Sequence, residues 1–429
     1  MPPPGRIARY ALRSAWRLAS IGVRVGLRRY VRAEPRELQQ GERPRVFILL
    51  GNAWAMGGTI RASHNLAGHL SQSYDVELLS VMRRVTKPFF PFPAGVQVTA
   101  LDDRTPAARS RAKLSQRILR RLPSTLIDPA DRVADACSLW SDLELARRLR
   151  GEPGFLIGTR PGFNLIAADL APPGLTTVGQ EHMHLGAHSR PLRRAMKRGY
   201  PKLGALAVLT ERDLEDYGAV VGEAKLVRIP NAAEIGGAKA DLAAPRILAA
   251  GRLAAQKGFD LLVAAFGQVA EEYPEWTLRI CGEGQLREAL DGLVAEAGLG
   301  ERGELPGRCD LAEEMANASV FALSSRFEGF PVVLLEAMSK GMAVVSFDCP
   351  TGPAELIDDH RNGILVPAGD VDAFAESLRE LMQDEKLRRS CATAAVETAS
   401  AYTVAAIGNR WEALLDELAE ARGWPQRSP

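Results

Sequence analysis

Short apolar runs alternate with helical patterns along most of the chain. Apolar runs bounded by glycine or polar residues are typical of buried strands. They occur at residues 46–50, 76–81, 96–100, 156–158, 176–179, 205–210, 226–229, 246–250, 276–281, 305–308, 319–323, 343–347 and 362–366. Helical patterns follow several of them, at residues 59–70, 211–217, 259–273 and 332–338. Strands that alternate with helices predict an α/β fold with parallel, doubly wound sheets.

The length of the chain predicts two domains. Its 429 residues exceed what one ordinary core supports, and residues 232–245 carry glycines and alanines without a core pattern, as a link does. We expect a first domain at residues 41–235 and a second at 236–402. Apolar residues make up 46% of the chain and charged residues 25%, as in soluble globular proteins.

The N-terminal segment is strongly basic. Eight arginines precede the first acid, Glu34, and five of them follow steps of seven and four, which places them on one helical face. These five are Arg6, Arg13, Arg17, Arg24 and Arg28. Arginines interrupt the apolar residues too often for a secretory signal or a spanning helix.

A basic amphipathic helix within residues 1–40 is the interpretation that this segment favours. We expect residues 6–32 to lie on an anionic membrane surface, at the inner face of the plasma membrane of a cytoplasmic, peripheral protein. The alternatives are a disordered arginine-rich tail and a targeting presequence. Two further basic segments, at residues 104–121 and 190–202, favour a phosphate-rich partner or surface. Nucleic acid is not expected, because no aromatic platform or recognition motif accompanies them.

Cysteine and histidine residues do not predict a metal site. The five cysteines are scattered and odd in number, so we expect reduced thiols and neither a disulfide framework nor a zinc site. His182 and His184 follow a predicted strand, where ligands bind in open sheets. No third ligand accompanies them, so metal ligation remains an unsupported alternative.

Two glutamates eight residues apart are the main candidates for ligand binding. Glu328 lies in the turn after the strand at 319–323, and Glu336 lies in the helix that Pro331 begins. The helix N-terminus offers unpaired N–H groups to a phosphate or a sugar. Two carboxylates are acceptors suited to vicinal hydroxyls, as in a nucleotide sugar. The alternative is a solvated loop charge and a helix surface charge, although Glu336 interrupts an apolar face and therefore needs a partner.

In each predicted domain, one glycine-containing loop follows the first strand. Residues 51–58 contain Gly57 and Gly58, but the spacing matches neither a dinucleotide fingerprint nor a Walker loop. In the second domain, Arg252 and Lys257 lie five residues apart beside a strand end. A forked guanidinium and a point charge together match a diphosphate.

The combination of these motifs resembles family 4 glycosyltransferases. The residues that carry the resemblance are Gly251-Arg252-Leu253 with Lys257-Gly258, Gly282-Glu283-Gly284, Glu328-Gly329-Phe330-Pro331 through Glu336-Ala337-Met338, and Gly363-Ile364-Leu365-Val366. It is strong over residues 200–370 and looser over 45–200. It implies two facing Rossmann-like domains of the GT-B fold, with the donor in the second and the acceptor in the first. It also implies a final helix within residues 403–429 that crosses back.

The resemblance implies a role for each candidate residue. Arg252 and Lys257 would neutralise the donor diphosphate and stabilise the leaving nucleotide. Glu328, with the backbone of Gly329 and Phe330, would hold the donor sugar. The remaining assignments are Glu336 at the ribose hydroxyls, Arg308 at the base, Gly57 and Gly58 at the diphosphate across the cleft, and His182 at the anomeric side of the sugar.

The implied reaction is sugar transfer with retention of anomeric configuration, from a nucleotide diphosphate sugar and without a metal or another cofactor. The catalytic residues would be His182, Arg252, Lys257 and Glu328, acting by position and charge. The resemblance favours uridine diphosphate, and the basic segments favour an anionic or membrane-linked cell-envelope acceptor such as a teichoic-acid-like polymer, a lipid or a polysaccharide. An inactive sugar-binding relative, a nucleotide-sugar epimerase and a phosphorylase of the same architecture are the alternatives.

Overall fold

The computed structural model describes residues 4–38 and 42–424, with side chains from Tyr10 onward. The strands are β1 (Arg45–Leu50), β2 (Asp75–Arg83), β3 (Gln97–Asp103), β4 (Gly154–Gly158), β5 (Leu175–Gln180), β6 (Ala205–Val208), β7 (Lys225–Arg228), β8 (Arg246–Ala250), β9 (Thr277–Cys281), β10 (Gly303–Gly307), β11 (Val320–Leu323), β12 (Ala343–Asp348) and β13 (Ile364–Pro367). The helices are α1 (Pro4–Ala19), α2 (Ile21–Val31), α3 (Gly58–Leu70), α4 (Pro106–Arg111), α5 (Leu114–Leu119), α6 (Leu139–Leu149), α7 (Pro161–Leu170), α8 (Arg190–Gly199), α9 (Glu211–Val221), α10 (Phe259–Val269), α11 (Arg287–Glu296), α12 (Leu311–Ala316), α13 (Val332–Ser339), α14 (Pro353–Leu356), α15 (Val371–Gln383), α16 (Glu385–Ser400) and α17 (Val404–Glu420).

Two compact units contain these elements, and each is built on a parallel sheet. The first unit comprises the chain up to Val208, residues Arg212–Ile229 and the chain from Gly408. The second comprises Leu209–Glu211 and Pro230–Ile407. The predicted α/β class with two doubly wound domains is confirmed.

The first unit has a seven-stranded sheet in the order β3-β2-β1-β4-β5-β6-β7. The order reverses beside β1, which pairs with β2 on one side and β4 on the other. Ligands bind at such a reversal in open sheets, beyond the carboxyl ends of the strands. Residues 51–58, which contain Gly57, leave β1 at this point.

The second unit repeats the arrangement with the order β10-β9-β8-β11-β12-β13. Alternate residues of β8 face opposite sides of the sheet: Ile247 packs in one apolar cluster with Phe266, and Leu248 packs in another with Phe321. Apolar packing on both faces explains why the strands of this unit are continuous apolar runs. The order reverses between β8 and β11, so the loops after these two strands meet.

The basic N-terminal segment forms two helices, α1 and α2, where one was expected. Ser20 separates them, and its hydroxyl donates to the carbonyl of Trp16 at 2.7 Å. Such a local bond competes with the regular helical pattern. Leu27 and Val31 of α2 pack into the core of the first unit, so this helix is an integral part of that unit.

Part of the expected arginine face points toward the protein. Ion pairs join Arg13, Arg17 and Arg28 to carboxylates of the first unit, at Asp135, Asp128 and Asp169 respectively. The side chains of Arg6 and Arg9 lie outside the described residues. None of the helices in the described part of the chain combines the length and the apolar character needed to cross a bilayer.

The last helix, α17, starts in the second unit and belongs to the first from Gly408 onward. Polar contacts fix it there: the Tyr74 hydroxyl donates to Asp416 at 3.1 Å, and Lys225 pairs with Glu417. These contacts hold the C-terminal end of the described chain against residues that precede the second unit.

Candidate active site

A strand, a turn and a helix position Glu328 and Glu336 in the second unit, as the sequence predicts. β11 ends at Leu323, and α13 begins at Val332. Glu328 is 7% exposed and Glu336 is 9% exposed. Because a buried carboxylate requires a compensating partner, neither residue behaves as the solvated surface charge considered above.

Lys257 forms an ion pair with Glu328. Its Nζ lies 2.6 Å from Oε1 of the carboxylate, and the hydroxyl of Ser325 donates to the same oxygen at 2.6 Å. The lysine side chain retains 18% exposure. The cation therefore balances a buried carboxylate while remaining open to a second anion. The structure brings together two residues that the resemblance assigned to different parts of a donor.

The loops after β8 and β11 pack closely enough to form one surface. Gly258 has φ +61°, and a Cβ there would lie 2.0 Å from the carbonyl oxygen of Ser324. The N–H of Arg326 donates to the carbonyl of Gln256 at 2.8 Å, and the Gln256 amide donates to the carbonyl of Phe327 at 3.0 Å. Only glycine satisfies both the backbone conformation and this close approach.

Two buried backbone donors lie between the glutamates. Gly329 and Phe330 are buried, and their N–H groups donate to no acceptor within residues 4–38 and 42–424. Buried N–H groups in folded proteins are almost always paired. These two N–H groups can therefore donate hydrogen bonds to a ligand that lies beside the Lys257–Glu328 ion pair and the N-terminus of α13.

Arg252 follows β8, and Arg308 follows β10, on the other side of β9. Arg252 is exposed, and its side chain has no ion pair or hydrogen bond with the described residues. The Arg308 guanidinium donates to Glu283 at 2.7 Å, and both side chains are more than half exposed. A Cβ on Gly282, in the loop between them, would lie 1.8 Å from the carbonyl oxygen of Gly251, and the Gly282 N–H donates to the carbonyl of Gly307 at 2.7 Å. The loop after β9 therefore packs against the backbone beside each cation.

In the first unit, Gly57 and Gly58 begin α3. Gly57 has φ +151° and its carbonyl accepts from the N–H of Arg61 at 3.0 Å. A Cβ on Gly58 would meet nothing within 4 Å. The start of this helix therefore leaves open space at its N-terminal N–H groups, which is where an anion binds.

His182 lies beyond the carboxyl end of β5 in the same unit. Its two ring nitrogens are buried and make no hydrogen bond with the described residues. Burial, assisted by the positive charge of Arg160, lowers the pKa of His182 to about 4. The imidazole is therefore neutral at physiological pH.

A buried polar cluster surrounds Glu181, the residue before His182, and it was not predicted. Glu181 accepts from the Asn164 amide at 2.8 Å and from the Tyr200 hydroxyl, and its other oxygen lies 3.4 Å from Nε2 of His188. The Tyr217 hydroxyl lies 3.2 Å from the same histidine nitrogen. A charged residue at the end of an apolar strand was the available sequence signal, but its partners Asn164 and Tyr200 are 17 and 19 residues away in the chain.

The neutral imidazole predicts a pH dependence of folding stability. Between pH 6.5 and about 4, the unfolded chain protonates His182 and the folded chain does not. Stability contributed by this residue therefore falls as the pH is lowered through that range, by about 2–3 kcal/mol in total. Urea denaturation of the wild type and of His182→Asn from pH 7.5 to 4.5 measures it.

The difference between the two proteins is the relevant readout. Burial raises the pKa of Asp142 to about 6 despite hydrogen bonds from Ser124 and Thr125, so this residue opposes the His182 effect over part of the same range. Its contribution is common to both proteins and cancels. Stability curves that stay parallel as the pH falls would contradict a buried neutral His182.

Comparison with known families gives a match in the second unit. Residues 236–398 match the family described as glycosyl transferases group 1. The chain is 37% identical over 389 residues to an exopolysaccharide phosphotransferase of Streptomyces coelicolor, covering 87% of this chain and 40% of that protein. It is 26% identical over 278 residues to a poly(glycerol-phosphate) alpha-glucosyltransferase of Bacillus subtilis, covering 62% of this chain and 41% of that protein. The chain thus spans about 40% of the length of each of these relatives.

The fold is that of GT-B glycosyltransferases. Staphylococcus aureus TarM, solved as a mutant in complex with fondaparinux, α-GlcNAc-glycerol and UDP, superposes with a TM-score of 0.70 at 13% identity. The match covers 87% of this chain and 100% of TarM. At this identity it is evidence for the fold alone. The matched family and these two relatives all carry the names of transferases.

Proposed function

We propose that this chain is a retaining family 4 glycosyltransferase that moves a sugar from a uridine diphosphate sugar to a cell-envelope acceptor. The Lys257–Glu328 ion pair beside the free N–H groups of Gly329 and Phe330 is the observation that carries the proposal. It offers a carboxylate and two backbone donors from one buried turn, together with a cation from the loop after β8. A nucleotide sugar presents the complementary set of diphosphate oxygens and sugar hydroxyls.

In this proposal, each candidate residue of the second unit binds one part of the donor. Lys257 and Arg252 bind the diphosphate and stabilise the charge that develops on it as the bond to the sugar breaks. Glu328 accepts from sugar hydroxyls while the N–H groups of Gly329 and Phe330 donate to the sugar. Glu336 accepts from the ribose hydroxyls, and Arg308 borders the base.

The first unit supplies His182, Gly57 and Gly58 in this proposal. A neutral His182 can hydrogen-bond a sugar hydroxyl without placing a positive charge beside the anomeric carbon. Gly57 and Gly58 leave the start of α3 open to a phosphate. In a retaining transfer, the acceptor oxygen bonds the anomeric carbon on the face that the diphosphate leaves. Catalysis then depends on position and charge, and no metal or other cofactor is required.

The acceptor in this proposal is an anionic or membrane-linked polymer, lipid or polysaccharide. Two observations support it: the basic segments of the first unit, and the polymers in the names of the relatives, which are an exopolysaccharide in one case and a poly(glycerol-phosphate) in the other. The inactive relative and the epimerase remain the competing functions.

A panel of nucleotide diphosphate sugars tests the function. We expect nucleotides with one particular base to raise the melting temperature of the protein selectively in the presence of EDTA. We also expect the protein to hydrolyse the matching sugar donor slowly. Release of the nucleoside diphosphate indicates glycosyl transfer, whereas release of the monophosphate would indicate transfer of a sugar phosphate, as the name of the Streptomyces relative suggests for that protein. No stabilisation by any nucleotide would favour the inactive relative, and recovery of an isomeric nucleotide sugar would favour the epimerase.

Residues 6–32 were expected to bind an anionic membrane through their arginines, but Arg13, Arg17 and Arg28 form ion pairs within the protein. We propose that α1 and α2 contact an anionic bilayer through their outward apolar residues. These are Leu12, Leu18, Ile21 and Val23, which are 41–70% exposed. Arg29 and Arg32 follow these residues in the chain and are exposed, so they would add attraction to anionic lipids.

Vesicle sedimentation tests this contact. We expect the double variant Leu12→Glu and Leu18→Glu to lose most binding to vesicles of phosphatidylglycerol and phosphatidylcholine, because it places carboxylates against the lipid. Deleting residues 1–40 is a poorer test, since it removes Leu27 and Val31 from the core. Ile235→Glu, at an exposed apolar residue of the second unit, is the control. Equal binding by the double variant and the wild type would refute the contact.

A further inference from the structure

Two cysteine sulfurs meet at the edge of the second sheet. Cys281 is the last residue of β9, and Cys309 follows the neighbouring β10 by two residues. The sulfurs of Cys281 and Cys309 lie 2.6 Å apart. The sequence did not indicate this contact, because 28 positions separate the two residues. They approach because parallel pairing sets Cys281 opposite Gly307.

The two thiols differ in access to solvent. Cys281 is 6% exposed, whereas Cys309 is half-buried. The other cysteines, Cys137, Cys349 and Cys391, are all buried. Burial raises the pKa of Cys281, and the hydrogen bond to Cys309 raises it further. Cys309 is therefore the sulfur that a reagent in solution reaches first.

A metal ion is the alternative occupant of this cluster. Ligand atoms of Cys281, Cys309 and Glu314 lie within 4.8 Å of one another. However, both oxygens of Glu314 accept from the Arg279 guanidinium, at 2.7 and 2.8 Å. Two thiolates that share a tetrahedral zinc ion stand about 3.8 Å apart, so this pair would have to separate. The observed contact therefore favours a bond between the sulfurs.

We propose that Cys281 and Cys309 are a reversible dithiol/disulfide site. In the forward reaction, the Cys309 thiolate attacks a hydroperoxide, the O–O bond breaks, and the alcohol or water leaves. This forms a sulfenic acid on Cys309. The Cys281 sulfur then displaces hydroxide, which takes up the thiol proton and leaves as water. The two thiols lose two electrons and the hydroperoxide gains them. Two equivalents of a small-molecule thiol reduce the bond by successive exchange, and they leave as the small-molecule disulfide.

The bond would tie together the ends of two strands that carry ligand residues. Gly282-Glu283-Gly284 follows Cys281 directly, and Arg308 precedes Cys309. Glu283 and Arg308 already pair with each other. The consequence for a nucleotide rests on the proposed function, in which Arg308 borders the base. Oxidation would then change nucleotide affinity by restricting this edge, whereas formation of the disulfide itself is independent of any ligand.

The experiment treats the reduced full-length protein with stoichiometric hydrogen peroxide, measures its mass, and then identifies the remaining thiols by alkylation. We expect a loss of 2 Da, a cross-linked peptide containing Cys281 and Cys309, and full recovery with dithiothreitol. Closing a loop of this size should raise the melting temperature of the oxidised protein by roughly 5–10 °C. Cys309→Ala should lose both effects, while Cys391→Ala should retain them.

Other outcomes would overturn the proposal. Alkylation of both Cys281 and Cys309 after oxidation, or a disulfide between other cysteines, would refute it even if the alanine variant did not fold. Stoichiometric zinc in the reduced protein that protects both thiols would instead assign the cluster to a metal. Titration with UDP before and after oxidation is a separate measurement, since unchanged affinity bears only on the proposed base contact.

Discussion

Replacing Lys257 with methionine is expected to lower kcat/KM for sugar transfer by about 10²–10³-fold, or about 2.7–4 kcal/mol of transition-state stabilisation. The ammonium would stabilise the leaving diphosphate, and it is the cation that balances the buried Glu328. Methionine keeps the apolar part of the side chain, which lies over Gly251: a Cβ there would be 2.9 Å from Cε of the lysine. Initial rates with a cognate donor measure the effect.

Two further variants separate catalysis from folding. Lys257→Met alone leaves the Glu328 carboxylate buried without its cation, which costs stability. Adding Glu328→Gln removes that uncompensated charge, so the double variant should recover stability and remain inactive. Arg326→Met removes an exposed cation of the same turn that pairs with Asp260 at 2.6 Å, and should change the rate less than threefold. Near-normal turnover by Lys257→Met would eliminate the proposed donor site.

The central strands were predictable because they are apolar runs between polar or glycine residues. Val46–Leu50 and Ile247–Ala250 are buried on both faces of their sheets, which makes them recognisable without any alignment. The strand, turn and helix around Glu328 were predictable for a similar reason, since Pro331 marks the start of the helix. Local sequence determines each of these features.

Contacts between distant residues were not predictable in the same way. Periodicity placed Arg13, Arg17 and Arg28 on one face but did not reveal the carboxylates that they meet, which lie more than 100 residues later. The Lys257–Glu328 pair joins residues 71 positions apart. Two residues that are individually consistent with phosphate and sugar binding thus prove to be mutual partners.

This pairing has a consequence for how a donor would bind. An incoming diphosphate would share the ammonium with Glu328, so binding would weaken the Lys257–Glu328 contact and free carboxylate acceptor capacity. Sugar hydroxyls that donate to Glu328 would restore the lost interaction. A nucleotide sugar should therefore bind more tightly than the corresponding nucleoside diphosphate, because the diphosphate alone leaves the buried carboxylate without a sufficient partner.

Replacing Glu336 with glutamine is expected to weaken nucleotide binding by about 10–100-fold. Hydrogen bonds to a charged group contribute about 1.5–3 kcal/mol, and glutamine keeps the size of the side chain while it loses the charge and one acceptor. The carboxylate is 9% exposed, so water does not readily replace a missing partner. Isothermal titration with UDP measures the affinity, and Glu397→Gln, at an exposed residue of α16, is the matched control.

A nucleotide without ribose hydroxyls shows whether the loss arises at the proposed contact. The wild type should bind 2′,3′-dideoxy-UDP more weakly than UDP, whereas Glu336→Gln should distinguish the two nucleotides poorly. The four affinities form a thermodynamic cycle, and its interaction energy isolates the contact between the carboxylate and the hydroxyls. A variant that loses affinity equally for both nucleotides would show that Glu336 supports the fold of the turn and does not bind the ribose. Because α13 packs on the same apolar cluster as β11, melting temperatures of all the variants must accompany the titrations.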